Sequence, residues 1–250
     1  MEQPGTSTPL MGAVQELATQ VVSALTSGDH SRVSAGTAVT IGDDDLGLAA
    51  VRVLGADVLL PSVLYRRPPA PADLAVCEKA VLAYPPAPDA SATSRWTHWA
   101  MTRTLRDLGA SAAVESPDGT EPDGTEPDAT WLDDLPWQAL THQLALLAAL
   151  AVPAAGSAAG SAAGSMADSA VARVAGRRAV DVARGFVRAV RRRGWQQAAG
   201  AGRWLAVLDG VPETLGLDAG LEFVAQMGGD DPRVALHLHA ARHVRAGAPV

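Results

Sequence analysis

The chain has 250 residues and a formal net charge of −7, from 20 basic and 27 acidic side chains. Its hydrophobic content is 48% with only 4% aromatics, so alanine, leucine and valine must build any core. An acidic chain of pI ≈ 5.3 is poorly suited to non-specific phosphate binding, and a single cysteine, Cys77, excludes an intramolecular disulfide.

One lysine and no asparagine accompany nineteen arginines, which points to a base-composition bias. Part of the arginine excess is therefore discounted as a functional signal. The opening residues MEQPGTSTPL lack a basic-then-apolar pattern, so no signal peptide is expected. The run LALLAALAVPAA from Leu144 is too short to cross a bilayer. These features lead to the expectation of a soluble cytoplasmic protein with no membrane partner.

The first predicted helix starts at Pro9, with Leu10, Val14, Leu17, Val21 and Leu25 at three- and four-residue spacing and Gly28 as its stop. Residues 37–65 admit a β-α-β reading: strand Ala38–Gly42, helix Asp45–Leu54 and strand Val58–Tyr65. Glycine followed by acid after a strand is similar to the first loop of nucleotide- and methyl-donor-binding folds. Pro61 in the second strand and the missing further glycines count against it. Capping of a helix by Asp43, Asp44 and Asp45 explains the same residues, and consecutive acids point in different directions, which disfavours a shared metal ion.

Next, ADLAVCEKAVLAY forms a short helix between prolines, with Cys77 read as a buried structural thiol. SRWTHWAMTRTLRDLG is a helix closed by Gly109. Arg95, Trp99 and Arg103 share one stripe of it, an arrangement for cation–π contact or a partner surface. The competing reading has Trp96 and Trp99 filling a core that is short of large side chains.

The repeat PDGTEPDGTEPDAT gives a flexible acidic loop over 116–130. A helix follows in DDLPWQALTHQLALLAALAV, with Trp137, Leu140, Leu144, Leu147 and Ala151 on one stripe and His142, to which no role is assigned, on the polar side. The segment AAGSAAGSAAGS has no side chain large enough to pack, so 153–167 reads as a linker.

Beyond it, VARVAGRRAVDVARGFVRAVRRRG is predicted as one helix, with Arg173, Arg177, Arg184 and Arg188 on its polar face and Asp181 bridging Arg177 and Arg184. Arg191, Arg192 and Arg193 extend the cluster before Gly194 and Trp195 begin a hairpin turn. No second copy of that hairpin recurs at the 34-residue period of tetratricopeptide arrays. On the last helix, His239 and His243 stand four apart, the spacing of a metal-ligand pair, but no Cys or Glu nearby supplies a third ligand.

The expected fold is mainly α: a helical bundle or helical-hairpin array in two segments, with a β-α-β element at 37–65 as the alternative. An acidic N-terminal domain spans 8–152 and a basic C-terminal domain 168–246. Residues 1–165 carry eight basic and nineteen acidic side chains, and residues 166–250 carry twelve and eight. No nucleophile–base pair, phosphate loop or closed ligand set is visible.

The expected function is a non-catalytic adaptor or regulator with no cofactor. It would bind an acidic protein partner through Arg173, Arg177, Arg184, Arg188 and Arg191–Arg193, through Arg95, Trp99 and Arg103, or through both. One alternative is an enzyme with a nucleotide or S-adenosylmethionine site in 37–90. The other is nucleic-acid binding through the Arg173–Arg193 cluster.

Overall fold

The computed structural model describes residues 7–27, 45–109, 125–153 and 166–247. Among them every regular element is helical, so the protein is mainly α. The chain divides into two compact units, Met1–Thr125 and Glu126–Val250.

In the first unit, α1 (Ser7–Ser27) packs on α2 (Asp45–Leu54), and α2 packs on α4 (Pro71–Ala83). A 3₁₀ segment (Gly55–Leu59) leads into α3 (Leu60–Tyr65) and lies against α5 (Ala92–Asp107). The core joins Val14 and Leu17 of α1, Val51 of α2, Leu59, Cys77 of α4 and Met101 of α5. The periodicity predicted for α1 is what buries it: Val14, Leu17 and Val21 are all in the core.

The strand expected at Val58–Tyr65 is helical. Pro61 falls in the first turn of α3, where a missing N–H costs nothing. Val58 to Ser62 are all buried, so the inside-outside alternation of a half-buried strand is absent. Gly55 takes φ +65°, a left-handed conformation that suits glycine, and this turns the chain between α2 and the 3₁₀ segment. Tyr65 Oη then donates to the Leu25 carbonyl at 2.5 Å and ties α3 to α1. The other proposed strand, Ala38–Gly42, lies outside the described residues, as do Asp43 and Asp44. Asp45 is the first residue of α2, where an acid favours the positive end of the helix dipole. The stretch Asp45–Tyr65 is apolar and long enough to cross a membrane, yet 61% of its most apolar window is buried inside the protein.

The second unit begins with a 3₁₀ turn (Thr130–Leu132) and α6 (Trp137–Leu146), followed by a second 3₁₀ turn (Ala148–Leu150). A further 3₁₀ turn (Met166–Asp168) precedes α7 (Ala170–Arg177), α8 (Ala179–Arg191) and α9 (Trp195–Val207). A 3₁₀ turn at Glu213–Leu215, α10 (Leu217–Gly228) and α11 (Pro232–Arg245) complete it. Helix α9 is the hub and packs against α6, α8, α10 and α11. It approaches α6 closely because Gly200 has no side chain: a Cβ there would lie 2.9 Å from the Ala145 carbonyl oxygen. The Trp204 indole N–H donates to the Leu144 carbonyl at 2.7 Å across the same contact.

That contact decides the chain's organisation. The sequence places α6 in an N-terminal domain ending at 152, whereas the structure packs it among the C-terminal helices. The compact units part between Thr125 and Glu126. The Ala/Gly/Ser residues 154–165 and the acidic residues 116–124 lie outside the described residues. Moving the boundary also changes the charge. The second unit holds twelve basic and twelve acidic side chains, and the first holds eight and fifteen. The C-terminal unit is therefore neutral overall, and its positive charge is local.

Candidate functional site

The long helix predicted across residues 171–194 is broken at Arg178, whose backbone (φ −118°, ψ 29°) separates α7 from α8. Its side chain accounts for the break. Arg178 Nη1 donates to the carbonyls of Leu132 at 3.3 Å, Asp133 at 3.2 Å and Leu135 at 2.7 Å. Its Nε and Nη2 donate to Asp181 at 2.9 and 2.8 Å. The planar fork of guanidinium serves five hydrogen bonds at once, a geometry that lysine cannot match.

Arg173 and Arg177 stay exposed but find partners within the same unit. Arg177 pairs with Asp133 at 2.7 Å. Arg173 approaches Glu126 at 3.7 Å and donates to the Asp168 carbonyl. Asp181 therefore bridges Arg178 and, at 3.4 Å, Arg184, and not Arg177 as its spacing predicted. The acids that neutralise the start of the cluster lie in the segment just before α6 and on α8 itself.

The rest of the cluster faces outward. Arg184, Arg191, Arg192 and Arg193 are exposed. Among the described residues, no carboxylate pairs with Arg191, Arg192 or Arg193. The Arg188 guanidinium lies 5.7 Å from the centre of the Trp137 ring, within cation–π range.

Four of these arginines, Arg184, Arg188, Arg191 and Arg192, border an open groove of about 640 Å³. Its remaining lining is largely apolar: Val180, Ala183 and Val187 from α8, Trp137 from α6, and Pro212 and Leu215 from the loop before α10. Val180 stays 49% exposed although it is a large aliphatic side chain. A smaller depression of about 170 Å³ shares Trp137, Arg188 and Arg192 and includes His142, to which the sequence assigned no role.

The groove depends on how closely α6 and α8 approach. A Cβ on Gly185 would lie 1.9 Å from Thr141 Oγ1 and 2.4 Å from Thr141 Cβ, so only glycine lets α6 seat here and carry Trp137 to the groove. At the other end, Arg193 takes φ +57°, in the left-handed position that usually follows a helix as glycine. The Gly194 N–H donates to the Ala189 carbonyl at 2.9 Å and closes the turn into α9. Arg193 is exposed but is not part of the groove lining.

The other predicted residues do not join this site. Trp99 is 7% exposed and meets Trp96 edge-on at 5.1 Å, so both indoles serve the core of the first unit. Arg95 is exposed, and Arg103 pairs with Asp107 at 3.1 Å. On the same helix, burial and the nearby Arg52 hold the His98 pKa down at about 4. His239 and His243 are half-buried on α11, and among the described residues no group of three His, Cys, Asp or Glu side chains is placed to hold a metal. Cys77 is buried, and that burial, followed by Asp73 and Glu78, pushes its thiol far above the usual range, which disfavours the thiolate.

Three features escaped sequence reasoning. Arg203 is only 1% exposed, donates to the Ala151 carbonyl at 3.1 Å and lies 3.4 Å from His237 Nδ1. Its sequence signal is a lone arginine in the otherwise small and apolar run AAGAGRWLAV. The adjacent Arg177–Arg178 pair, with Asp181 three residues beyond Arg178, hints at the clamp. Nothing local marks Pro212 and Leu215 as a groove wall. Comparison with family models, curated proteins and solved structures found no match to this chain.

Proposed function

We propose that the protein is a non-catalytic helical adaptor or regulator whose C-terminal unit, a helical-hairpin array centred on α9, binds an acidic protein partner at the arginine-bordered groove. One observation carries this reading: an open apolar groove bordered by arginines, two of which (Arg191 and Arg192) have no carboxylate partner among the described residues. Apolar surface left open beside unneutralised charge is characteristic of an interaction site. Arginine and tryptophan are the side chains that most often anchor such sites.

The nucleotide-site alternative loses its second strand, because Val58–Tyr65 is helical. For the nucleic-acid alternative, the Arg188 guanidinium lies 5.7 Å from the centre of the groove's one aromatic ring, a place that a stacking base would have to contest. Arg173, Arg177 and Arg178 each face a carboxylate of the same unit, which lowers the charge they offer to phosphates.

In-cell photo-crosslinking tests the proposal. A photoreactive side chain at Val180 should give discrete protein adducts, and a probe at Leu146, exposed but not part of the groove lining, should give none of them. Adding Arg191→Glu and Arg192→Glu should remove the Val180 adducts. The adaptor reading is wrong if no protein adduct forms at Val180.

A further inference from the structure

We infer that the groove receives an amphipathic α-helix of the partner, with an apolar stripe bordered by carboxylates at three- and four-residue spacing. This inference rests on the adaptor reading above and narrows the kind of partner it requires.

The pattern is set by α8. Arg184, Arg188 and Arg191 follow one another at intervals of four and three, forming one charged ridge. Val180, Ala183 and Val187, at intervals of three and four, form the apolar ridge beside it. Leu215 and Pro212 supply the opposite apolar wall. From Val180 to Arg191 the groove side of α8 is about 16 Å long at 1.5 Å per residue. A partner helix of three turns has the same length, and its own repeat places side chains at matching intervals.

The other common mode of peptide capture adds a strand to a sheet edge and needs unpaired backbone groups in a strand. Among the described residues there is no strand, and the lining of this groove is made of side chains from helices and one loop. Recognition therefore has to be side chain to side chain. The opposing charges must be negative, because the lining contributes four guanidinium groups and no carboxylate. Asp181 approaches only Arg184 among the four, at 3.4 Å, with the Arg184 side chain 64% exposed, so a partner carboxylate can displace that contact at little cost.

The test uses the full chain and synthetic peptides of about 14 residues, followed by fluorescence anisotropy. One peptide carries leucines on one helical stripe and glutamates at three- and four-residue spacing beside it. A second has the same composition in scrambled order, and a third ligand is a fluorescent single-stranded oligonucleotide. The patterned peptide should bind about tenfold or more tightly than the scrambled one. Arg188→Glu with Arg191→Glu should weaken it by about tenfold or more, and Val180→Asp, at an exposed position where folding is not at stake, should weaken it too. Arg193→Glu, outside the groove, should leave it unchanged.

Equal binding of patterned and scrambled peptides overturns the helix inference. If the Val180 crosslinks to protein still form, the adaptor reading survives that result. A preference for the oligonucleotide, lost with the same arginines, refutes both readings in favour of nucleic acid. Peptide binding that ignores the groove variants but responds to Arg193→Glu refutes the site.

Discussion

Gly185→Ala is the substitution that most directly tests how the groove is built. In an uncrowded helix this change would stabilise the fold by about 1 kcal/mol, since alanine is the better helix former. Here the added Cβ would lie 2.4 Å from Thr141 Cβ, as well as 1.9 Å from Oγ1. Turning the threonine side chain therefore gives no relief, and α6 must retreat by about 1 Å to restore ordinary contact distances near 3.5–4 Å. Leu140 and Leu144 of α6 are fully buried and would lose packing in that retreat. Each makes about 50 contacts worth about 0.15 kcal/mol, and a gap of this size forfeits about a quarter of that. The loss is roughly 4 kcal/mol, offset by about 1 from propensity, which leaves a net cost of about 3 kcal/mol, at the upper end for overpacking.

Urea unfolding followed by far-ultraviolet circular dichroism reads this cost, and hydrogen–deuterium exchange should place the loosening in α6, α8 and α9. Combining Gly185→Ala with Thr141→Gly removes the opposing Cβ, so the pair should couple favourably by about 2 kcal/mol. A Gly185→Ala protein as stable as the native one, or more so, would show that the helices are not in the contact described.

Replacing Arg178 by methionine keeps the stem but leaves three carbonyls without their guanidinium donor and Asp181 without its closest partner, so thermal unfolding should register a loss of about 2–3 kcal/mol. Lysine at 178 should restore little of it, because the fork is lost; full recovery with lysine would mean that charge alone is what matters. Arg193→Gly should stabilise the protein by about 0.5–1 kcal/mol by relieving the left-handed conformation, and unchanged or lower stability argues against strain there. The His98 pKa is depressed from 6.5 to about 4, so the unfolded chain takes up the proton first as pH falls. His98 should therefore leave stability intact above pH 6.5 and reduce it as pH falls towards about 4. His98→Gln should flatten that part of the stability–pH profile, and an unaltered slope would place the titration elsewhere.

Local periodicity made most helices legible, since a repeat of three and four residues is sufficient for α1, α5 and α11 to be recognised. Helix α2 was legible with the bounds Asp45–Leu54, whereas Val58–Tyr65 stayed open between strand and helix because short apolar runs that are buried throughout look alike as either. The run GADVLLPSVLY, residues 55–65, does not separate the two until Pro61 is known to fall at a helix start, and Gly55 and Pro61 together make it helical. The assignment of α6 failed for a different reason. Its stripe of Leu140 and Leu144 says that it must bury a face, but not against which neighbour. The answer lies in Gly185 and Gly200, 44 and 55 residues after Thr141 and Ala145, whose missing side chains admit it.

The site shows the same limit applied to charge. Counting charges across residue 166 makes the C-terminal part basic, and the compact unit is in fact neutral. Glu126 and Asp133 belong to the same unit as the arginines they meet, and they pair at the surface with Arg173 and Arg177. Asp181 is then engaged by Arg178, leaving only a looser contact to Arg184. What remains positive is the far end of α8, and there the charge stands beside Val180, Val187 and Leu215 and not on a uniform basic face. A uniform face would attract any polyanion through long-range fields that salt screens. A short charged ridge beside an apolar one discriminates by register, because a ligand must satisfy both at fixed spacing to displace water from the groove. Net charge thus pointed to α8, while the pairing of individual arginines decides which part of that helix is left without a carboxylate beside it.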